Sequence, residues 1–284
     1  MAKLINGTKI ALDLKNEVAK KVNNIIQKYN IIPSITTIIV GDNEASIMYV
    51  NKKYEEATKI GINAQIIRLP NNITDEEIRD IIFTLNADNS VHAILLQLPL
   101  PMHLDKFRVI NYIDSKKDVD GLTTINAGKI STNNLQNTLI PCTPQGCIAL
   151  AKSVVTDFIG KNVLVVGKSN LVGKPLADIL LNMGCTVTIA HKNTLNLPQF
   201  SKTADIIFVA AGSPNLITGD MLKKDAVVID VGISRINGKI VGDCNYESCD
   251  KIASFITPVP GGVGPMTIAY LLFNTVLCCE NSLV

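Results

Sequence analysis

The stretch that decides the fold reads NVLVVGKSNLVGKP and spans residues 162–175. Its apolar beginning predicts a buried strand over Asn162–Val166, and a helix is predicted over Pro175–Asn182 with proline in the first turn. A glycine-rich turn, Gly167–Gly173, joins the two elements. Such a turn can direct backbone N–H groups and the helix dipole towards a phosphate group. The segment therefore indicates an α/β unit with a candidate phosphate-binding turn.

This turn matches neither of two common phosphate-binding motifs. Five residues, where a P-loop has four, separate Gly167 from Gly173, and Pro175 stands where a P-loop has the Ser or Thr that holds magnesium. The spacing of the glycines also differs from the G-x-G-x-x-G pattern of dinucleotide-binding sites. Taken alone, the turn is a weak signal of dinucleotide binding, and a tight strand–helix connection is the plainer interpretation.

The next predicted strand, Thr186–Ala190, sharpens the interpretation. It ends in His191-Lys192-Asn193, whereas NAD sites usually carry an Asp or Glu there to accept hydrogen bonds from the ribose hydroxyls. Lys168 lies nearby in the expected fold, so two lysines and no carboxylate are expected close to the ribose of the cofactor. Each lysine alone is typical of a solvated surface, but together they favour the 2′-phosphate of NADP. The sequence therefore predicts NADP as the cofactor.

Strands and helices alternate in both halves of the chain, a pattern typical of parallel sheets covered by helices. The further predicted strands are Ile35–Val40, Ala64–Leu69, Val91–Leu96, Ile206–Ala210 and Ala226–Val231. The further predicted helices are Ala11–Tyr29, Glu44–Lys59, Thr74–Leu85, Gln145–Asp157 and Pro265–Cys279. Asn237-Gly238 predicts a type I′ hairpin, and the polar stretch Asp114–Pro144 is predicted to be a connecting and site-forming loop. The predicted fold class is α/β with two domains.

Composition and charge argue against several other classes of protein. Hydrophobic residues make up 47% of the chain and charged residues 18%, which is typical of a compact folded protein. The net charge is +2 and Trp is absent, so neither a nucleic-acid nor a membrane surface is indicated. The seven Cys and three His residues match no metal-binding spacing, which predicts reduced thiols and no metal site. Residues 1–20 lack a signal-peptide run and Met266–Cys279 is short for a bilayer, so a cytoplasmic location is expected.

Polar residues in the first half follow predicted strands at their carboxyl ends, where sites form in α/β proteins. Tyr49 and Lys53 are four residues apart, so they share one face of the helix Glu44–Lys59. Gln97 ends an apolar strand, where its amide could orient an amine or a heterocycle. Lys117–Gly121 is a charged turn. Each feature also has a plain structural interpretation. Tyr49 and Lys53 would lie on the polar face of an amphipathic helix, Gln97 would cap a loop, and Lys117–Gly121 would be a solvated turn.

Seven segments resemble the signature segments of the bifunctional methylenetetrahydrofolate dehydrogenase/cyclohydrolase family, in the family's order and spacing. They are Val40–Ser46 with Tyr49 and Lys53, Gln97–Pro101, Lys117–Leu122, Pro141–Gly146, Val166–Pro175, Asp230–Ile233 and Thr257–Thr267. The run PVPGGVGPMT, residues 258–267, is highly specific by itself. The resemblance therefore extends over nearly the whole chain.

The resemblance implies a role for each matching residue. Lys53 corresponds to the catalytic lysine, and Tyr49 to the tyrosine that packs on the folate ring system. Gln97 corresponds to the glutamine that contacts Lys53 and the pterin, and Asp120 to the aspartate that pairs with the pterin's N–H donors. The predicted cofactor-binding residues are Gly167, Lys168, Ser169, His191, Lys192, Thr143 and Ile233. The chemistry of the side chains agrees with these roles. The carboxylate of Asp120 can accept hydrogen bonds from the N–H donors of a pterin, and the amine of Lys53 can exchange protons with water.

Two lysines depart from the family pattern or vary within it. The family commonly has Arg at the position of Lys168, and lysine keeps the charge but loses the bidentate fork of a guanidinium. The residue at the position of Lys192 varies within the family. Dual or reversed cofactor preference is therefore compatible with the sequence.

The resemblance implies two α/β domains with an active site in the cleft between them. Residues 1–140 are predicted to bind folate, rejoined by a C-terminal helix over 265–284, and residues 141–264 to form a Rossmann-like NADP-binding domain. The implied enzyme oxidises 5,10-methylenetetrahydrofolate to the 5,10-methenyl compound and hydrolyses that to 10-formyltetrahydrofolate. A cytoplasmic homodimer serving one-carbon metabolism and purine biosynthesis is expected.

Three other functions are alternatives to this one. The first is an enzyme with the dehydrogenase step only, against which the retained Lys53 argues. The second is an unrelated NADP oxidoreductase acting on a small hydroxy or keto acid, a substrate that needs neither Gln97 nor the Lys117–Gly121 turn. The third is a non-catalytic protein that binds folate or a nucleotide, which a turnover assay would distinguish.

Overall fold

The computed structural model describes residues 1–236 and 238–283. The helices are α1 (Gly7–Tyr29), α2 (Glu44–Lys59), α3 (Asp75–Ala87), α4 (Lys106–Ile110), α5 (Thr124–Ser131), α6 (Cys142–Lys152), α7 (Gly173–Asn182), α8 (Leu197–Ser201), α9 (Tyr246–Cys249) and α10 (Val263–Ser282). The strands are β1 (Lys3–Leu4), β2 (Ser34–Val40), β3 (Asn63–Leu69), β4 (Ala93–Leu96), β5 (Asn162–Val166), β6 (Thr186–Ala190), β7 (Ile206–Val209), β8 (Val227–Asp230), β9 (Ser234–Ile236), β10 (Lys239–Val241) and β11 (Phe255–Ile256). The alternation confirms the predicted α/β class.

The chain divides into two compact units, each with its own parallel sheet. The six-strand unit consists of Met1–Leu12, Ile130–Asn133 and Pro141–Tyr270. The three-strand unit consists of Asp13–Lys129, Asn134–Ile140 and the chain from Leu271 onwards. Helices α1 and α10 therefore each contribute residues to both units.

The three-strand unit has the strand order β3-β2-β4, with all pairs parallel. Every residue of β2 is buried, as expected for a central strand covered on both faces. The core between sheet and helices includes Ile38, Ile94 and, from α3, Ile78 and Ile82. Helix α3 begins with a capping box formed by Thr74 and Glu77, which fixes the start of that helix.

The six-strand unit has the order β1-β11-β8-β7-β5-β6, and its strands are also parallel. Val166, the last residue of β5, pairs with Ala190 of β6 and with Val209 of β7. The loops that follow these three strands therefore emerge at one edge of the sheet. In open parallel sheets this edge is where ligands bind.

Several predicted elements need correction. The stretch predicted as a loop contains α5, and α6 begins at Cys142, three residues before the predicted start, and ends at Lys152. Proline suits the first turn of a helix, so Pro144 marks the true start of α6. Strands β9 and β10 pair antiparallel with Ile236 opposite Lys239, as a hairpin requires, but its predicted turn type depends on Asn237, which lies outside the described residues.

Helix α10 is longer than the predicted Pro265–Cys279. Its 20 residues are long and apolar enough to cross a membrane by length and composition alone. However, a core helix passes the same test, and 61% of the apolar window is buried inside the protein. The burial accounts for its apolar character on most faces.

Candidate active site

A lysine and a glutamine meet at the carboxyl end of the three-strand sheet. Helix α2, which carries Lys53, begins after Asn43, whose side chain accepts a hydrogen bond from the Ser46 N–H at 3.0 Å. Gln97 directly follows β4, and its backbone N–H donates to the Ile38 carbonyl at 2.8 Å. The Lys53 Nζ donates to Gln97 Oε1 at 2.9 Å. The structure therefore joins these two predicted site residues directly.

Both ends of the Gln97 amide have a partner. Its Nε2 donates to the Leu98 carbonyl at 2.6 Å, which leaves Oε1 to face the lysine. Lys53 is half-buried, so its amine is held in one place and is partly shielded from water. Tyr49 lies one turn earlier on the same helix face and is 42% exposed. An open ring beside a positioned amine is suited to a flat, nitrogen-rich ligand.

The charged turn Lys117–Gly121 contains residues with different surroundings. The Lys117 Nζ donates to the carbonyls of Leu85 and Asp88 at 3.0 and 2.7 Å, so this lysine caps the end of α3. Burial lowers the pKa of Lys117. These contacts give Lys117 a structural role as a cap of α3.

Asp118 and Asp120 differ sharply in exposure. Asp118 is buried, and its Oδ2 accepts hydrogen bonds from Thr123 N at 2.7 Å and Asn126 Nδ2 at 2.9 Å. Burial raises the pKa of Asp118, and these hydrogen bonds oppose that rise. Asp120 is half-buried, and within residues 1–236 and 238–283 no hydrogen bond joins it to Lys53. Asp120 is therefore the carboxylate of this turn that is accessible to a ligand.

The glycine-rich turn of the six-strand unit is as compact as its composition predicts. Gly167 has φ of +128°, and a Cβ there would lie 2.2 Å from the Ala210 carbonyl oxygen. A Cβ on Gly173 would lie 2.0 Å from the Gly167 oxygen, so both positions need glycine. The Gly167 N–H donates to the Ala190 carbonyl at 2.8 Å. Helix α7 starts at Gly173, so the turn provides the backbone approach that a phosphate group needs.

The two predicted phosphate-binding lysines lie in this turn and after the neighbouring strand. Lys168 is the second residue of the turn, Lys192 lies two residues after the end of β6, and both side chains are exposed. Residues 190–196 contain no acid, so no carboxylate stands at the end of β6. The geometry brings the two cations to neighbouring strand ends and fits a cofactor with an additional phosphate.

The hydroxyl of Ser169 and the ring of His191 take part in local turns. Ser169 Oγ accepts from the Val172 N–H at 3.2 Å. His191 Nδ1 accepts from the Asn193 N–H at 3.2 Å. Both side chains are therefore oriented before any ligand binds.

Thr143 and Ile233 both lie against the first turn of α10. Thr143 Oγ1 lies 3.1 Å from Thr267 Oγ1. A Cβ on Gly264 would sit 3.8 Å from Ile233 Cδ1, and the Ile233 side chain is 49% exposed. The structure thus brings these two predicted residues to one helix end. It places no hydrogen bond from either to Lys168 or Lys192 among the residues it describes.

Two buried aspartates shape the loops around this edge, and neither role is predicted by a local sequence motif. Asp230, the last residue of β8, accepts from the N–H groups of Gly232, Asp243 and Cys244 at 3.0, 2.9 and 2.8 Å. Asp243 Oδ2 accepts from Ala211 N at 2.7 Å and from Gly212 N at 2.8 Å. Burial raises the pKa of Asp230. Asp230, like Gln97, is a polar residue at the end of an apolar strand, and this position is the sequence signal that could have indicated its role.

Cysteine and histidine play no part in a visible metal site. All seven cysteines are buried free thiols. Across the described ranges 1–236 and 238–283, no group of three or more His, Cys, Asp or Glu residues could hold a metal ion.

Fold and site together are typical of an α/β enzyme that binds a nucleotide cofactor. Residues 5–120 match the family model of the tetrahydrofolate dehydrogenase/cyclohydrolase catalytic domain. Residues 141–283 match the NAD(P)-binding domain of the same family. The chain belongs to the tetrahydrofolate dehydrogenase/cyclohydrolase family, which confirms the resemblance seen in its motifs.

Individual relatives agree over their full length. The bifunctional protein FolD of Wolbachia pipientis wMel is 48% identical, covering 98% of this chain and 95% of that protein. The crystal structure of the bifunctional enzyme FolD from Campylobacter jejuni superposes with a TM-score of 0.96 at 44% identity, covering 99% of each chain. The Trypanosoma brucei enzyme, complexed with NADP and an inhibitor, gives a TM-score of 0.95 at 34% identity, covering 99% of this chain and 98% of that one.

Proposed function

We propose that this chain is a bifunctional enzyme of folate one-carbon metabolism. It oxidises 5,10-methylenetetrahydrofolate to 5,10-methenyltetrahydrofolate with NADP and then hydrolyses the product to 10-formyltetrahydrofolate. The hydrogen bond from Lys53 to Gln97 carries the proposal, because it holds an amine in a fixed position. Hydration of the methenyl carbon needs a proton carrier, and an amine can supply that function. The family match of both halves of the chain supports it.

In the oxidation, the protein's own contribution is orientation. The methylene carbon lies between two nitrogens whose lone pairs stabilise the cation left after hydride loss, so no basic side chain is needed at that carbon. NADP, when bound, accepts the hydride. Asp120 would pair with the N–H edge of the pterin and Tyr49 would cover its face, and such positioning alone can supply several kcal/mol.

In the hydrolysis, Lys53 moves protons. Water must lose a proton as it adds to the methenyl carbon, and a ring nitrogen must gain one as the ring opens. An amine can serve both steps, and general acid–base catalysis typically contributes about 10²–10⁴-fold. Gln97 keeps the amine at one place through its Oε1, since its own amide is fixed at the other end by Leu98.

The residues around the glycine-rich turn fit NADP. Gly167 and Gly173 leave the backbone clear where any Cβ would collide, and α7 presents its N-terminus there. We infer that Lys168 and Lys192 face the 2′-phosphate, while Ser169 and His191 line the same strand ends. Thr143 of α6 and Ile233, whose side chains lie beside the start of α10, would also contact the cofactor.

We also infer that the enzyme is a cytoplasmic homodimer. Edge strand β6 leaves Ile189 40% exposed, and Leu181 of the neighbouring helix α7 is 61% exposed. Exposed apolar side chains beside a free sheet edge favour association with a second copy. Light scattering coupled to size-exclusion chromatography tests this, and a mass of one chain at micromolar concentration would refute it. The net charge of +2 gives no support to a nucleic-acid or membrane partner.

One assay tests the proposed activities together. Purified protein is mixed with methylenetetrahydrofolate and either NADP or NAD, and the absorbance of reduced nicotinamide is followed with that of the methenyl compound. We expect reduction of NADP with 10-formyltetrahydrofolate as the end product. Reduction that stops at the methenyl compound would indicate a dehydrogenase alone, and no reduction would indicate a binding protein.

A further inference from the structure

A buried asparagine in α10 holds two distant backbone carbonyls. Asn274 is fully buried in a helix that is apolar on most faces. Its Nδ2 donates to the Val119 carbonyl at 2.8 Å and to the Ile140 carbonyl at 2.9 Å. All three residues belong to the three-strand unit. Burying an amide is costly unless it is hydrogen-bonded, so these contacts have to offset that cost.

The Val119 carbonyl belongs to the same rigid peptide plane as the Asp120 nitrogen. The C–N bond has partial double-bond character, so fixing the oxygen of that plane fixes the direction in which the Asp120 Cα leaves it. Asn274 therefore acts one planar unit away from the carboxylate proposed to read the pterin.

The rest of the turn is anchored around this plane. The Ile94 N–H of β4 donates to the Lys117 carbonyl at 2.7 Å, and the Gly121 N–H donates to the Asp118 carbonyl at 2.9 Å. Thr123 N donates to Asp118 Oδ2 at 2.7 Å. These bonds fix the residues before and after Asp120, and Asn274 fixes the peptide that immediately precedes it.

We propose that Asn274 is a positioning residue for Asp120 and thus for the folate substrate. The proposal rests on the proposed function, because it assumes that Asp120 pairs with the pterin. Substrate alignment is sensitive to shifts of about 1 Å, which can cost about 10²-fold in rate. Loss of the Asn274 donor would let the Val119–Asp120 peptide turn and would weaken folate binding without a direct contact to folate.

A neighbouring residue provides the matched control. Thr275 is as fully buried as Asn274, but its Oγ1 donates to the Leu271 carbonyl at 2.8 Å within the same helix. Thr275→Val removes that hydroxyl at nearly constant shape, and Asn274→Leu removes the amide at nearly constant shape. Both substitutions change the stability of α10, but only the second reaches the Asp120 turn.

The test measures dissociation constants for a folate ligand and for NADP in the wild type, Asn274→Leu, Thr275→Val, Asp120→Asn and the double variant Asn274→Leu/Asp120→Asn. We expect Asn274→Leu to weaken folate binding by about tenfold and NADP binding by less than about twofold. Thr275→Val should change neither constant by more than about twofold. In the double variant the Asn274 substitution should add little, because two residues that act through one contact are not additive.

Two results would overturn the proposal. One is an equal weakening of folate and NADP binding by Asn274→Leu, and the other is an undiminished effect of that substitution when Asp120 is already Asn. Wild-type turnover of methylenetetrahydrofolate is measured first, since its absence would refute the proposed function instead. Where circular dichroism shows Asn274→Leu unfolded, Asn274→Ser takes its place, because its shorter hydroxyl is a smaller perturbation that still withdraws the amide from Val119.

Discussion

The three-strand unit and the six-strand unit prepare their candidate residues in different ways. In the three-strand unit, Lys53 is fixed by Gln97 and the Asp120 turn is fixed by Asn274, all through side-chain hydrogen bonds. In the six-strand unit, Lys168 and Lys192 are exposed, and what is fixed is the backbone of the turn beside them. A catalytic side chain has to be held to within a fraction of an ångström of the reacting carbon. Attraction of a phosphate group needs only positive charges near the end of the sheet where the phosphate binds. Substitutions in the three-strand unit should therefore change reaction rates and folate affinity, whereas substitutions of the exposed lysines should have smaller effects, on cofactor preference.

The largest effect is expected at Lys53. Lys53→Met keeps the length and apolar packing of the side chain but removes its proton chemistry. We expect hydrolysis of the methenyl compound to fall by about 10²-fold or more, and the dehydrogenase rate to fall less. Steady-state rates of both reactions measure this, with Lys52→Met as the control, because Lys52 is the adjacent, exposed lysine of α2. A similar loss in the control would mean that charge on α2 matters rather than the position of one amine.

Asp120→Asn should weaken folate binding far more than NADP binding. A charge-assisted hydrogen bond of this kind contributes about 1.5–3 kcal/mol, which corresponds to roughly tenfold to a hundredfold in affinity. Isothermal titration with each ligand gives both constants. Asp114→Asn, an exposed carboxylate a few residues earlier, is the control. Equal losses for both ligands in Asp120→Asn would indicate misfolding or another role for this aspartate.

A smaller effect is expected at Lys192. Lys192→Asp, with Lys168 intact, places a carboxylate that repels the 2′-phosphate and can accept from a ribose hydroxyl, so preference should shift from NADP towards NAD. The ratio of kcat/KM for the two cofactors measures the shift. Lys202→Asp makes the same change of charge at another exposed position of this unit. An unchanged ratio in Lys192→Asp would identify Lys192 as a solvated surface charge.

The smallest effect is expected at an ion pair away from the chemistry. Glu56 lies 2.6 Å from the Lys15 Nζ and 2.9 Å from the Lys59 Nζ, and these hydrogen bonds lower the pKa of Glu56. A carboxylate with a lowered pKa stabilises the fold fully at neutral pH, and this contribution disappears as the pH falls through that pKa. Glu56→Gln should therefore cost less than about 1 kcal/mol at neutral pH and almost nothing in strong acid. Urea unfolding at the two pH values tests this, and a difference that grew towards acid would contradict it.

Elements with strong local signals were predictable from the sequence. The bounds of α2 and β5 match the structure, because Asn43 caps the first and an unbroken apolar run makes the second. Helix α5 was predicted as loop, because its Asn, Thr and Gly residues have weak helix propensity and its formation depends on tertiary burial of Ile130.

The candidate site was predictable in part, for a similar reason. The contact between Lys53 and Gln97 was expected from the family's motifs, and the structure contains it. The Asn274 contact joins residues 155 positions apart in the sequence, and no local pattern indicates such a pair. The loop-holding role of Asp243 likewise depends on two backbone N–H groups more than thirty residues away.

The most direct test of the central claim is a single turnover that starts from methylenetetrahydrofolate and NADP, with enzyme in excess. The amounts of methenyl and 10-formyl product are followed over time in the wild type and in Lys53→Met. The account predicts that the wild type passes the methenyl compound on to 10-formyltetrahydrofolate, whereas the variant forms the methenyl compound and accumulates it. Loss of both steps to the same extent, with folding and substrate affinity intact, would contradict the account and show that Lys53 organises the site for both reactions.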